Sequence, residues 1–225
     1  MKYFVIAGEA SGDIHAAQLI KALCAKDENA EFKYFGGDFM QGASGVVPVV
    51  HYKDMAYMGF IEVVAHLRPI LNNMQNCRKD IMQWCPDVLI LIDYPSFNMR
   101  IAKWAKARGI KVYYYIAPKV WAWKESRVKL LRRWVDKLFI IFPFEIEYFR
   151  KHGIEGFYAG NPLMDSIAQR RGAIPERGEF FAKNGLENKP TIALLSGSRS
   201  SEIKYNLPVM VSASRLLPEY QFVVA

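Results

Sequence analysis

Val88-Leu89-Ile90-Leu91-Ile92-Asp93-Tyr94-Pro95 is the stretch on which the reading of this chain turns. Five apolar residues in succession, with no polar alternation, fit a strand buried on both faces, as in a parallel sheet covered by helices on either side. Similar short runs, rich in β-branched and aromatic residues, lie at Tyr3–Ala7, Phe32–Phe35, Val46–Val49, Val112–Ile116 and Leu138–Ile141. Segments of helical period separate them. Ala16, Leu19, Ile20 and Leu23 fall on one helical face, and further helices read over Pro69–Trp84, Met99–Arg108 and Ser126–Trp134. Strand, helix and strand in repetition mean an α/β fold with a parallel sheet and helices on both faces.

The pattern changes after Gly160-Asn161-Pro162. A helical stretch over Leu163–Arg171 leads into the polar, turn-rich Gly172–Gly178, and a new βαβ unit then reads from Thr191–Leu195 through a helix to Gln221–Ala225. The expected organisation is a first domain over residues 1–162, a linker over 163–188 and the start of a second domain over 189–225. A two-stranded parallel unit cannot bury both its faces alone, so the second domain is expected to be incomplete.

The chain has 225 residues, 52% hydrophobic and 23% charged, which is ample for a packed core and unlike a disordered chain. It has no run of eighteen uncharged apolar residues, which argues against a membrane span. The opening Met1–Gly8 is too short in its apolar run, and too soon followed by Glu9 and Asp13, for a signal peptide. Cys24, Cys77 and Cys85 show neither a CxxC nor a metal spacing, suit a reducing compartment and read as core thiols. His15, His51, His66 and His152 are scattered, so no metal site and no cofactor is expected. The net charge of +8 favours an anionic partner: nucleic acid, phospholipid or a phosphorylated substrate. Seven basic residues against two acids between Lys119 and Lys137 concentrate it. That stretch is either a solvated helix face or a surface for anions.

In an open α/β sheet, ligands bind beyond the carboxyl ends of the strands, and four such ends are chemically rich. Gly8-Glu9-Ala10-Ser11-Gly12-Asp13 is neither a GxGxxG nor a P-loop; its glycines serve backbone freedom or a ligand. Asp93 closes a fully apolar strand, where it is either a general base or a turn former. Trp121 and Trp123 stand among basic residues, as an interfacial belt or as core. In the second domain, Gly197-Ser198-Arg199 precedes a helix; free amides at the helix start and a guanidinium make it the best phosphate candidate.

These segments, with Met58-Gly59-Phe60-Ile61-Glu62-Val63, Asp93-Tyr94-Pro95-Ser96-Phe97-Asn98, Pro118-Lys119-Val120-Trp121-Ala122-Trp123, Phe142-Pro143-Phe144-Glu145 and Gly160-Asn161-Pro162-Leu163, occur in the order of the signature blocks of the lipid-A-disaccharide synthases. No one block is decisive; seven in register, from residue 3 to about 205, are highly specific. The resemblance implies a GT-B-like fold, two Rossmann-like domains facing across a cleft, with the second truncated here. It implies an inverting glycosyltransferase that moves 2,3-diacylglucosamine from its UDP derivative to the 6-hydroxyl of lipid X. The products are UDP and the β-1,6-linked disaccharide of lipopolysaccharide lipid A biosynthesis.

By the same resemblance Asp93 is the general base, Glu9, Ser11, Asn98, Met58 and Trp121 meet substrate, and Ser198, Arg199 and Glu202 meet the UDP phosphates. The implied partners are UDP-2,3-diacylglucosamine, lipid X and the inner face of the cytoplasmic membrane, met peripherally from the cytoplasm; no nucleic acid is implied, and a homodimer stays open. The apolar segment Ala56–Arg68, flanked by basic residues, reads either as a contact for acyl chains and membrane or as an amphipathic core helix. Ser96 stands where the family commonly has a second Asp, and Lys119 where it has Ser. The family also continues for about another half-domain, with most of the uridine site. Two rivals remain: another UDP-sugar enzyme of GT-B type, transferase or 2-epimerase, which shares the architecture, and a non-catalytic binder of anionic lipid.

Overall fold

The computed structural model describes residues 1–55, 67–197 and 200–225. It divides into two compact units, Met1–Ala168 and Gln169–Ala225.

The first unit is built on strands β1 (Lys2–Ala7), β2 (Glu31–Gly36), β3 (Val50–His51), β4 (Val88–Ile92), β5 (Lys111–Tyr115), β6 (Lys137–Ile140) and β7 (Gly156–Tyr158). All neighbours are parallel, in the order β3-β2-β1-β4-β5-β6-β7. From β1 the chain works outward to β3, then returns to the other side of β1 and works outward to β7. The reversal falls between β1 and β4, where Ala7 lies opposite Ile92. Connections leaving the two strand ends diverge there and open a crevice, the usual place for a ligand in a doubly wound sheet.

The helices of this unit are α1 (Ala10–Cys24), α2 (Asp38–Ser44), α3 (Leu67–Trp84), α4 (Pro95–Lys106), α5 (Arg127–Trp134), α6 (Phe144–Lys151) and α7 (Pro162–Arg170). Side chains alternate across a strand, and the core divides accordingly. Phe4, Ile6, Leu89, Leu91, Val112 and Tyr114 face one side, where Cys77 and Ile81 of α3 and Phe97, Ile101 and Ala105 of α4 cover them. Tyr3, Val5, Val88, Ile90 and Ile92 face the other, against Ala16 and Ile20 of α1 and Met40 of α2. The unbroken apolar run of β4 thus fills two cores at once. Each large aliphatic so buried stabilises by about 1.5–3 kcal/mol, which fixes β4 at the centre. None of the described helices is long and apolar enough to cross a membrane.

The second unit holds α8 (Arg177–Lys183), β8 (Thr191–Leu194), α9 (Ser200–Ser214) and β9 (Gln221–Val224). β8 and β9 pair in parallel. The Gln221 amide donates to the Glu187 carbonyl and to the Thr191 hydroxyl, tying the start of β9 to the residues before β8.

Three expectations are corrected. The apolar run Val46–Val49 is not a strand; β3 begins at Val50, because Pro48 has no N–H for the ladder. Of the three cysteines only Cys77 is a core thiol; Cys24, on the last residue of α1, and Cys85, in a turn with φ 49°, are exposed. The polar Gly172–Gly178 turn runs directly into a helix, α8. Unexpected elements also include α2, α6 and β7.

Candidate active site at the strand reversal

The turn after β4 is the most constrained backbone in the first unit. Asp93 and Tyr94 both have left-handed dihedrals, φ 43° and 46°, and Ile116, beyond the neighbouring strand end, has φ 64°. An L-residue in that region costs roughly 1–2 kcal/mol, and such strain persists only where the surroundings over-determine it. Here they do. Asn98, fully buried in the first turn of α4, donates from Nδ2 to the carbonyls of Ile92 at 3.2 Å and Asp93 at 2.8 Å. The Tyr114 hydroxyl donates to the Asp93 carbonyl at 2.5 Å, and the Asp93 amide to the Tyr115 carbonyl at 3.3 Å. Tyr94, at the N-cap of α4 ahead of Pro95, donates its hydroxyl to the Met55 carbonyl at 3.0 Å. Pro95 at the first helical position lets α4 start without a stranded donor.

The Tyr94 ring lies against Gly8, where a Cβ would overlap it. The turn after β1 is thus packed on the turn after β4, and glycine is required at 8 for that reason. Glu9 is the extended N-cap residue of α1, half-exposed, and makes no side-chain cap. Burial raises the Tyr94 hydroxyl pKa, and the Glu9 carboxylate adds to the rise. Ser11 lies exposed in the first turn of α1. Asp13 has a different duty: fully buried, it accepts from the amides of Gly37 at 2.8 Å, Phe39 at 3.0 Å and Met40 at 3.2 Å. A carboxylate on the open amides of a helix start is well matched in charge and donor count, so Asp13 fastens α2 to α1.

His15 carries no motif that marks it in the sequence. It sits partly buried on α1 within electrostatic reach of Asp93: burial lowers its pKa, and the Asp93 carboxylate opposes the fall. Its Nδ1 is buried without a hydrogen-bond partner. A signal was present, since Ser11 and His15 stand four apart and share a helix face. Tyr114, wholly buried, has its pKa driven well up by burial, with Asp93 adding and Arg127 opposing. Asp93 therefore lies within electrostatic reach of the His15 imidazole and of the Tyr114 phenol, whose hydroxyl bonds its backbone carbonyl.

The tryptophan block and the Phe142–Glu145 block form one lock. Trp121 Nε1 donates to Glu145 Oε1 at 3.1 Å, while Glu145 Oε2 accepts from the amides of Ile141 at 3.1 Å and Phe142 at 3.0 Å. Glu145 is buried by this; Trp121 stays 39% exposed, its ring edge-on to Phe144. Asn98 and Trp121 thus divide the expected substrate residues: Asn98 lies inside, holding the turn, and Trp121 keeps a free face.

In the second unit Gly197 has φ 107°, and a Cβ there would collide with the Glu202 side chain. Glu202 lies in the first turn of α9, and Asn206 donates to the Ser196 carbonyl at 3.1 Å. Met58, Ser198 and Arg199 lie outside the described residues. Among the described residues no cluster of His, Cys, Asp and Glu is arranged to hold a metal ion.

Against known proteins, the family model described as lipid-A-disaccharide synthetase matches residues 3–224. The lipid-A-disaccharide synthase of Geobacter metallireducens is 40% identical over 99% of this chain and 58% of its own length. That of Syntrophus aciditrophicus is 41% identical over 96% of the chain and 55% of its own. The chain thus spans a little over half the length of these relatives. Among solved structures, a UDP-GlcNAc 2-epimerase from Neisseria meningitidis superposes with a TM-score of 0.68 at 14% identity, over 100% of this chain and 65% of that one. At that identity the likeness establishes the architecture alone.

Proposed function

The chain belongs to the lipid-A-disaccharide synthetase family, and on that premise we propose that its protein transfers 2,3-diacylglucosamine from the UDP derivative to the 6-hydroxyl of lipid X, with inversion, releasing UDP. The observation that carries this is the strained Asp93–Tyr94 turn at the strand reversal, which fixes a carboxylate where a ligand enters an α/β sheet.

In the proposed step the Asp93 carboxylate takes the proton of the acceptor hydroxyl as its oxygen attacks the anomeric carbon. The bond to the UDP β-phosphate breaks on the opposite face. Arg199, together with Ser198 and Glu202, is assigned to the departing diphosphate, where a guanidinium would stabilise the negative charge that develops. His15, whose pKa burial lowers while the Asp93 carboxylate opposes the fall, lies within electrostatic reach of the base. Glu9, Ser11, Met58 and Trp121 line the acceptor's path, and Asn98 works from behind by fixing the turn. Residues 1–162 form the acceptor side and 189–225 the start of the UDP-sugar side, and the protein works peripherally at the inner face of the cytoplasmic membrane.

The test is incubation of the chain, and of Asp93→Asn, with UDP-2,3-diacylglucosamine and lipid X, product being read by mass. Disaccharide from the parent chain and none from the variant supports the assignment. Equal product from both removes Asp93 from the mechanism. The fold is shared with a 2-epimerase, so the same mixtures without lipid X are scanned for an epimerised sugar nucleotide, whose appearance would favour that activity instead.

A further inference from the structure

A groove of about 710 Å³ runs between α3, α4 and α5. Pro95 and Ser96, directly after the Asp93–Tyr94 turn, line its end at the start of α4, and it follows α4 as far as Lys103. At 1.5 Å per residue, Ser96 to Lys103 spans about 10 Å. Arg78, Arg100, Lys103, Lys124 and Arg127 line it, and no carboxylate does. Among the described residues none of these five cations is in an ion pair. Several lie over indoles instead: Arg78 at 5.9 Å from the Trp104 ring centre, Lys103 at 5.6 Å from Trp134, and Lys124 at 4.2 Å from Trp123. The Nε of Arg78 is buried without an acceptor.

Five like charges gathered around one concavity repel one another and raise the local concentration of anions. Guanidinium forks and ammonium groups together match a phosphate. Apart from Gln75 and Ser96 the remaining lining is apolar, Met74, Met99, Leu130 and Trp134 included, surface that a free inorganic anion would leave wet. Beside the groove's cations Trp123 stands 68% exposed, an amphipathic ring of the kind favoured at a water–lipid boundary.

We infer that this groove binds a phosphate-bearing acyl lipid, its phosphate among Arg78, Arg100 and Lys103 and its hydrocarbon on Met74, Met99, Leu130 and Trp134. The inference rests on the function proposed above only for which lipid is bound: the acceptor's own phosphate, or a phospholipid of the bilayer. Ser96 matters in either case, because an acid in the lining there would set a negative charge against the phosphate.

The test uses the 225-residue chain and binding alone, so that it stands or falls apart from transfer. The probes are monomeric dihexanoyl phosphatidic acid, dihexanoylglycerol and inorganic phosphate. Arg100→Glu/Lys103→Glu and Ser96→Asp alter exposed groove positions. Lys129→Glu/Arg133→Glu makes the same charge change on exposed residues of α5 outside the groove.

The expected result is tighter binding of phosphatidic acid than of either other probe, weakened at least tenfold by the Arg100/Lys103 pair, about threefold by Ser96→Asp, and less than threefold by the control pair. Equal weakening by both charge-reversal pairs, or phosphate binding as tight as the lipid, would overturn it. Two further arms, lipid X and phosphatidylglycerol vesicles, identify the source. Groove-dependent binding of lipid X alone assigns the acceptor, and of vesicles also, the bilayer.

Discussion

The turns after β1 and β4 lie side by side and are built to one plan with opposite results. Each runs from the carboxyl end of a central strand into a helix, carries an acid at its mouth (Glu9, Asp93) and buries a polar residue shortly after it (Asp13, Asn98). The buried residue of the first turn reaches outward: Asp13 binds amides 24 to 27 residues away and joins two helices. That of the second reaches back, with Asn98 holding carbonyls five and six residues behind it. Glu9 keeps ordinary extended backbone, φ −146°, whereas Asp93 and Tyr94 are strained. Two similar-looking motifs thus divide the labour, one acting as a joint between helices and the other as a clamp on the backbone that carries Asp93.

The contrast can be broken most sharply at Asp93 and Asp13. Asp93→Asn is expected to lower transfer by about 10²–10⁴-fold, the usual worth of a general base, with a thermal midpoint shifted by less than about 3 °C. A large loss of stability instead would make Asp93 a framework residue like Asp13. Asp13→Ala leaves three amides at the start of α2 without an acceptor and should cost on the order of 3 kcal/mol in urea unfolding. A change under about 1 kcal/mol would show that α2 does not depend on the joint.

Contact between the turns is probed by Gly8→Ala, expected to cost about 2 kcal/mol through overlap with the Tyr94 ring. A double-mutant cycle with Tyr94→Ala should recover much of that loss; additive effects would place the strain elsewhere. Asp93→Gly relaxes a left-handed residue and should raise stability by about 1 kcal/mol while abolishing transfer. A destabilised glycine variant would mean that the dihedral carries no strain.

The smallest effect concerns His15. Burial lowers its pKa beneath the ordinary 6.5, so on acidification the unfolded chain takes up the proton first. Its contribution is therefore present above pH 6.5 and is lost as pH falls through the lower folded value. Thermal midpoints between pH 7.5 and 5 should fall more steeply for the parent chain than for His15→Gln, and parallel curves would place the imidazole in water.

What sequence could reveal followed the strength of local signals. β1 and β4 declared themselves by continuous apolar residues, and α3 and α4 by long periodic faces. Helices α2, α6 and α8, of seven or eight residues, offer barely two turns of periodicity, and β7 is three residues beginning with Gly156. Asp93 was legible because strand, acid and proline are contiguous. The roles of Asp13 and Glu145 were not, since Asp13 answers to amides beyond residue 36 and Glu145 to an indole 24 residues earlier. The electrostatic proximity of His15 to Asp93 is tertiary and needed the fold.

One consequence concerns the moment of synthesis. The backbone amide of Lys2 bonds Asp87 across 85 residues, and β1 meets β4 only after everything between has been made. At about 5–20 residues per second, the ribosome leaves the inner edge of β1 unmatched for roughly 4–17 s. Through that interval a strongly apolar strand presents unpaired amides and carbonyls. The packed pair of turns cannot exist until the interval ends, because Gly8 has no Tyr94 to rest against. The emerging chain therefore builds its most exacting geometry by its most distant pairing, the kind of contact that slows folding. Cellular factors that shield nascent strands would have their longest task here on the first seven residues.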